Sequence, residues 1–167
     1  MKKILSLTMA LAMIGTAFTG CGAKTAAPET SVEPTQQTVS VRQEQSQTEK
    51  ALALINTFAT GDTDTARSLL ADGYIQHNLA YGTGADAFIG SVEYLASADV
   101  KTTVNNIRAF EDGDKVFLQT VYNFAGAGEQ VAFDIFRFDE NGKIAEHWDV
   151  METIADQSTW QNQNGKF

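Results

Sequence analysis

The side chains best suited to chemistry lie near the C-terminus, in His147-Trp148-Asp149. This segment is predicted to form the second strand of a hairpin. His147 and Asp149 then share one face of the strand, and Trp148 lies on the other. A histidine and a carboxylate among apolar neighbours can move protons or hold a ligand. The sequence has only one other histidine, His77, in the distant segment 74–78, so the function depends on whether the fold brings the two segments together.

The register of the hairpin decides which other side chains join this pair. A two-residue turn at Asn141-Gly142 pairs Glu140 with Lys143 and turns Asp134 to the Asp149 face. A three-residue turn with a bulge pairs Asp139 with Lys143 and turns Asp134 the other way. Opposite charges across the two strands favour the first register.

The favoured register predicts a pocket wall on one face of the hairpin and an apolar surface on the other. The pocket wall would consist of Asp134, Phe136, His147, Asp149 and Met151, and the apolar surface of Phe133, Ile135, Trp148 and Val150. An exposed apolar face of that size is typical of an interaction surface, which predicts a homodimer.

The first 20 residues have the features of a secretory signal. A short basic start precedes the apolar run 4–18, which is too short to span a membrane as a stable anchor. The run ends in Phe18-Thr19-Gly20-Cys21, which resembles a bacterial lipobox and would make Cys21 the lipidated N-terminus. The sequence therefore predicts a lipid-anchored protein of the bacterial cell envelope, outside the cytoplasm. The alternative is a secreted protein with a stray cysteine.

Composition divides the remaining chain into a tether and a domain. Residues 21–47 contain both prolines and many Gln, Ser and Thr residues, which predicts a disordered tether. Residues 48–167 are long enough for one domain. The formal charge of the chain is −9 and the domain has no Lys/Arg cluster. We therefore expect no nucleic-acid partner, and membrane contact only through the lipid anchor.

The domain is predicted to begin with helices and end with strands. Apolar residues at helical spacing predict a helix that ends at Gly61, a short helix capped by Asp62, and a third helix that buries Phe88. A short extended piece, 74–78, precedes the third helix. After Ser97 the pattern alternates and predicts strands at 101–110, 115–125, 129–139 and 143–154, separated by glycine-containing turns. This order is typical of an α+β domain.

Two stretches resemble the SnoaL-like branch of the nuclear transport factor 2 (NTF2)-like superfamily. They are Tyr-Ile-Gln-His-Asn at 74–78 and Phe-Asp-Ile-Phe-Arg-Phe-Asp-Glu-Asn-Gly-Lys-Ile-Ala-Glu-His-Trp-Asp-Val-Met at 133–151. The resemblance implies a cone in which three N-terminal helices pack on a strongly curved antiparallel sheet around a pocket. Members include polyketide cyclases that use an Asp acid/base and no metal, as well as isomerases, hydrolases and non-catalytic binding domains. The position matching the cyclase Asp is Asp149.

Three kinds of function remain open. The first is cofactor-independent acid/base chemistry next to a carbonyl, with Asp149 as the base, His147 orienting it or donating, and His77 supplying a further polar contact. The second is non-catalytic binding of a hydrophobic small molecule. The third is a mononuclear metal site built from both histidines and Asp149, which is the least favoured. The other predicted ligand contacts are Tyr74, Asn78, Tyr122, Asp134, Phe136, Trp148 and Met151.

Overall fold

The computed structural model describes residues 44–167, so the predicted signal, Cys21 and most of the predicted tether lie outside the described residues. The helices are α1 (Gln47–Thr60), α2 (Thr63–Leu69) and α3 (Ala85–Ser97). The strands are β1 (Leu70–Gln76), β2 (Thr103–Asp112), β3 (Lys115–Asn123), β4 (Glu129–Phe138) and β5 (Ile144–Thr153). No helix within 44–167 is long and apolar enough to cross a membrane.

Capping sets both ends of α1, by side chains at the start and by a glycine at the end. The Ser46 side chain accepts a hydrogen bond from the Glu49 backbone N–H at 3.1 Å, and the Glu49 carboxylate accepts one from the Ser46 N–H at 2.8 Å. This reciprocal pair starts the helix one residue before the predicted domain boundary at 48. The helix ends at Gly61, which adopts the left-handed conformation with φ 74°.

The short helices continue the pattern that the sequence predicts. Asp62 caps α2 by accepting from the Thr65 N–H at 2.9 Å. The third helix, α3, begins after Gly84 and has no side-chain cap. The Thr83 hydroxyl accepts from the Gln76 N–H at 3.1 Å. The buried stripes of the three helices pack against one side of the sheet and form the core with it.

The sheet has the order β1-β5-β4-β3-β2. Its last four strands form the predicted antiparallel meander. β1 is a fifth strand and runs parallel to β5, so the sheet is mixed and not wholly antiparallel as predicted. The local pattern does not reveal this pairing, because α3 and three strands separate β1 from β5. The pairing continues past β1, where the His77 N–H donates to the His147 carbonyl at 2.9 Å.

The hairpin of β4 and β5 combines features of both predicted registers. Asp134 lies opposite Asp149 and Phe136 opposite His147, as the favoured register predicts. The turn differs, because Asp139 and not Glu140 pairs with Lys143.

A bulge explains why the turn follows one predicted register and the strand pairs near Asp134 follow the other. Gly142 occupies the left-handed position of a three-residue turn, with φ 67°. Phe138 then pairs with Ile144, whereas Arg137 pairs with Glu146, so β5 contains one extra residue at this point. That residue shifts the register by one and returns Asp134 to the Asp149 face.

The outer face of the sheet, which points away from the helices, is partly apolar and exposed. Phe133 is 55% exposed and Val150 is 73% exposed. The C-terminal segment contacts another part of this face, where the Gln119 side chain donates to the Lys166 carbonyl at 3.0 Å. The predicted homodimer through the outer face stays a prediction.

Candidate functional site

A cavity of about 480 Å³ lies between the helices and the inner face of the sheet. All five residues of the predicted pocket wall line it, together with Tyr74 and Tyr122. The helices contribute Ile55, Phe58, Ala87, Phe88, Gly90, Ser91, Tyr94 and Leu95, and the remaining lining residues are Gln76, Tyr81, Gly82, Phe124 and Gln130. The cavity therefore has polar groups along the sheet and a mainly apolar wall along the helices.

A buried chain of hydrogen bonds connects three strands on the cavity wall. The Tyr122 hydroxyl donates to Asp134 Oδ2 at 3.0 Å, and His147 Nε2 lies 3.1 Å from Asp134 Oδ1. The His147 ring also stacks on Phe136, with centroids 4.4 Å apart. Both oxygens of Asp134 are thus satisfied within the protein.

Gln76 determines the tautomer of His147. Its Oε1 accepts from the Asn78 backbone N–H at 2.9 Å, so its Nε2 is the atom that faces His147 Nδ1 at 3.0 Å. Because an amide nitrogen can only donate, Nδ1 is the acceptor in this contact, and Nε2 is the nitrogen that donates to Asp134 Oδ1.

Asp149 differs from Asp134 in its burial and in its partners. It is half-buried at the cavity wall, and Asn78 Nδ2 donates to its Oδ1 at 2.6 Å. Burial raises the pKa of the Asp149 carboxyl, and the nearby Asp134 charge adds to this. The proximity of His147 and the Asn78 hydrogen bond oppose the rise without cancelling it. A carboxyl with a raised pKa is a stronger base once it is ionised.

Tyr74 presents a hydrogen-bond donor to the cavity. Its side chain is 2% exposed, and its hydroxyl oxygen accepts from Gln76 Nε2 at 3.2 Å. Burial raises the pKa of this phenol, and the charges of Asp149 and Asp134 raise it further, so it keeps its proton. Among residues 44–167, no hydrogen bond uses that proton, which leaves it available to a ligand oxygen.

The structure places His77 and Trp148 on the outer face, away from the cavity. Their rings stack with centroids 4.4 Å apart, and His77 Nε2 lies 2.9 Å from Glu146 Oε2. The reason is the alternation of the extended chain, which turns Tyr74 and Gln76 inward and His77 outward. The predicted catalytic role of His77 and the predicted ligand contact of Trp148 are therefore corrected.

This placement also separates the two histidines of the predicted metal site, because His147 faces the cavity and His77 does not. A different trio, Asp134, His147 and Asp149, offers ligand atoms within 4.8 Å of one another. Both ring nitrogens of His147 already have hydrogen-bond partners. A cation at this trio would have to replace at least one of these partners.

Sequence reasoning missed several residues at the site. Gln76 fixes the His147 tautomer, while Gln130, Tyr81 and Tyr94 line the cavity. Alternation along 74–78 places Gln76 on the same face as Tyr74, but it does not show which face is buried. The contributions of Tyr81 and Tyr94 depend on how the α3 region packs, for which the local pattern gives no signal.

The sequence profile of the SnoaL-like domain matches residues 51–147. The chain therefore belongs to the SnoaL-like domain family, as the resemblance indicated. No match is found among curated proteins.

Solved structures of NTF2-like proteins share the fold. An NTF2-like protein of unknown function from Cytophaga hutchinsonii is 16% identical, with a TM-score of 0.57 over 66% of this chain and 94% of that one. IdmH, a putative polyketide cyclase from Streptomyces antibioticus, is 19% identical, with a TM-score of 0.52 over 65% and 93%. An M. tuberculosis LEH-like epoxide hydrolase is 18% identical, with a TM-score of 0.54 over 62% and 80%. At these identities the likeness shows the fold alone.

Proposed function

We propose that this SnoaL-like domain binds an apolar carbonyl compound in its cavity and catalyses metal-independent proton transfer next to the carbonyl. The observation that carries the proposal is Asp149, a carboxylate on an apolar cavity wall whose pKa is raised by burial. Asn78 holds one of its oxygens, and its other oxygen makes no hydrogen bond within residues 44–167. The carboxylate is thus positioned and has a free acceptor.

The proposed reaction begins when ionised Asp149 removes a proton from the carbon next to the carbonyl. The electron pair of that C–H bond forms a C=C bond, and negative charge develops on the carbonyl oxygen. The Tyr74 hydroxyl donates a hydrogen bond to this oxygen. Asp149 then returns its proton to carbon in an isomerisation, or to the new alkoxide after an aldol addition.

The buried chain of Gln76, His147, Asp134 and Tyr122 supports this site. It holds the His147 ring in place through both of its nitrogens. The similar fold of a putative polyketide cyclase supports the class of reaction, although it does not identify a substrate. The alternative is a non-catalytic module that binds a hydrophobic molecule, which the aromatic lining of the cavity favours.

Deuterium exchange tests the reaction without knowledge of the natural substrate. In D2O, the protein should accelerate exchange next to the carbonyl in a panel of apolar ketones such as 2-tetralone. Asp149→Asn should reduce exchange to the buffer rate, and Tyr74→Phe should slow it about 100-fold. Asp72→Asn is a matched control, because Asp72 is exposed and does not line the cavity.

Exchange that is equally fast in Asp149→Asn would contradict the role of the carboxylate. Ketones that bind without faster exchange would favour the non-catalytic module.

We also propose that Cys21 anchors the domain to the bacterial cell envelope. Cys21 is the only cysteine and lies at the lipobox position. Cys21→Ala should release the protein from the membrane fraction or block its processing. Unchanged mass and membrane attachment in this variant would refute the anchor.

A homodimer through the outer face is proposed on the exposure of Phe133 and Val150. Sedimentation at micromolar concentration should give about twice the monomer mass. Val150→Asp should yield monomer, because it would bury a charge in an apolar interface. A wild-type monomer at that concentration would count against the proposal.

A further inference from the structure

The described lining of the cavity is unusual in its charge. It contains two carboxylates, Asp134 and Asp149, and no Lys or Arg side chain. The only histidine in the described lining is His147, and Gln76 and Asp134 occupy both of its ring nitrogens. An anionic ligand would therefore meet negative charge without a compensating cation, whereas a cationic ligand would be attracted.

Only one of the two carboxylates is available to a ligand. Tyr122 and His147 occupy both oxygens of Asp134. Asp149 receives one donor, Asn78, on Oδ1, and no hydrogen bond within residues 44–167 reaches its Oδ2. A partly buried carboxylate without a cationic partner is costly, so a ligand that supplies a cation would gain from filling this position.

The walls around this carboxylate are aromatic. Phe58 lies 4.9 Å from Phe88 and 5.7 Å from Phe124, centroid to centroid, and Phe124 stacks on Tyr122 at 4.9 Å. All four rings line the cavity. Aromatic rings pack well against a flat apolar ligand, and their faces attract organic cations.

We propose that the cavity binds arylalkyl amines in their protonated form, with Asp149 as the counter-ion. The ammonium group donates to Asp149 Oδ2, and the aromatic part of the ligand packs among the rings of the α1 and α3 wall. This binding needs no proton transfer next to a carbonyl and is therefore independent of the proposed reaction. A bound amine occupies the base, so it should also compete with a ketone.

Calorimetry with three naphthalene compounds of similar shape tests the proposal. The probes are 2-naphthylmethylamine, 2-naphthalenemethanol and 2-naphthoate, titrated at pH 7 into the wild-type protein. We expect the amine to bind at least about tenfold more tightly than the alcohol, and the carboxylate to bind more weakly than both. Asp149→Asn should remove most of the amine's roughly tenfold advantage over the alcohol, because the alcohol depends less on the charge of Asp149. Asp72→Asn removes the same charge from outside the cavity and should change neither.

Two results would overturn the proposal. One is an alcohol that binds as tightly as the amine, and the other is an unchanged amine affinity in Asp149→Asn. Circular dichroism of each variant establishes that it is folded. The outcome is separable from that of the exchange experiment, because an inactive cavity can still select cations and an active one can fail to do so.

Discussion

The two faces of β5 shift the pKa values of their carboxyl groups in opposite directions. Glu146 faces outward, where a hydrogen bond from His77 and then the Arg137 guanidinium hold the pKa of its carboxyl below the usual value. Asp149 faces the cavity, where burial raises the pKa of its carboxyl. The outer face stabilises the charged form of Glu146, whereas burial on the inner face destabilises the charged form of Asp149. A carboxylate whose charged form is destabilised on an apolar cavity wall is typical of a functional site.

The inner and outer faces also differ in the packing of β4. This difference gives the largest expected effect of a substitution on the free energy of unfolding. Phe136 is 0% exposed and stacks on His147, whereas Phe133, on the other face, is 55% exposed. Phe136→Ala should lower the free energy of unfolding by about 3–5 kcal/mol, because it empties a filled core position. Phe133→Ala should change it by only about 0.5 kcal/mol. Urea denaturation of both variants measures the difference.

Protein concentration is the control for this pair. A dimer through the outer face would make the loss in Phe133→Ala grow as the protein is concentrated. Equal losses in the two variants at low concentration would contradict the assignment of the inner and outer faces.

The next largest effect concerns the buried hydrogen bonds of the inner face. Asp134→Asn keeps the shape of the side chain but turns an amide N–H₂ towards either His147 or the Tyr122 hydroxyl. Whichever way the amide turns, either the His147 N–H or the Tyr122 O–H loses its acceptor, and we expect destabilisation of about 1–3 kcal/mol at pH 7. Thermal or urea unfolding measures it. A variant as stable as the wild type would show that the network contributes little to the fold.

The sequence predicted the inner face of the hairpin better than its turn. Alternation fixes which residues share a face, so the pocket wall from Asp134 to Met151 lies as predicted. It does not reveal where a strand carries an extra residue. Both turn geometries are compatible with Asn141-Gly142. Because of the bulge in β5, the three-residue turn is correct at the turn itself, and the register of the two-residue turn is correct at Asp134 and Asp149.

The segment 74–78 shows a different limit. Its alternation separates Tyr74 and Gln76 from His77, but applying it requires knowing that the segment is a strand with a buried side. That knowledge comes from the pairing of β1 with β5, which joins distant parts of the chain. We expected His77 at the site because a histidine can transfer protons, whereas Gln76 is the residue whose side chain contacts the His147 ring. Long-range pairing, and not local pattern, selected the site residues here.

A smaller effect is expected on the outer face, from Glu146→Gln. The folded-state pKa of Glu146 lies below the model-peptide value of 4.5, so its ionisation stabilises the fold above that pH. The stabilisation disappears as the pH falls through the folded-state pKa. Because the groups are partly exposed, the variant should lose at most about 1 kcal/mol at pH 7, and the loss should shrink as the pH falls through the folded-state pKa. Urea titrations at several pH values measure this, and a loss that does not shrink in acid would point to packing instead of charge.

The smallest effect is expected for Asp149→Asn. This substitution should leave the free energy of unfolding unchanged or raise it, whereas Glu146→Gln should lower it. The folded-state pKa of Asp149 lies above the ordinary value of 3.8, so ionisation costs stability. That cost is absent below pH 3.8, grows as the pH rises towards the folded-state pKa, and is constant above it. The substituted amide oxygen can still accept the hydrogen bond from Asn78. The variant should therefore match the wild type at low pH and equal or exceed its stability at pH 7, by less than about 1 kcal/mol because Asp149 is only half-buried.

Unfolding at pH 3 and pH 7, measured on Asp149→Asn beside Glu146→Gln, tests whether the two faces differ in sign. A loss of several kcal/mol in Asp149→Asn would mean that its carboxylate belongs to a structural pair. Asp149 would then resemble Glu146, and the argument for a functional carboxylate on the inner face would fail. Preserved stability together with lost deuterium exchange is the pattern expected of a residue kept for chemistry at the expense of the fold.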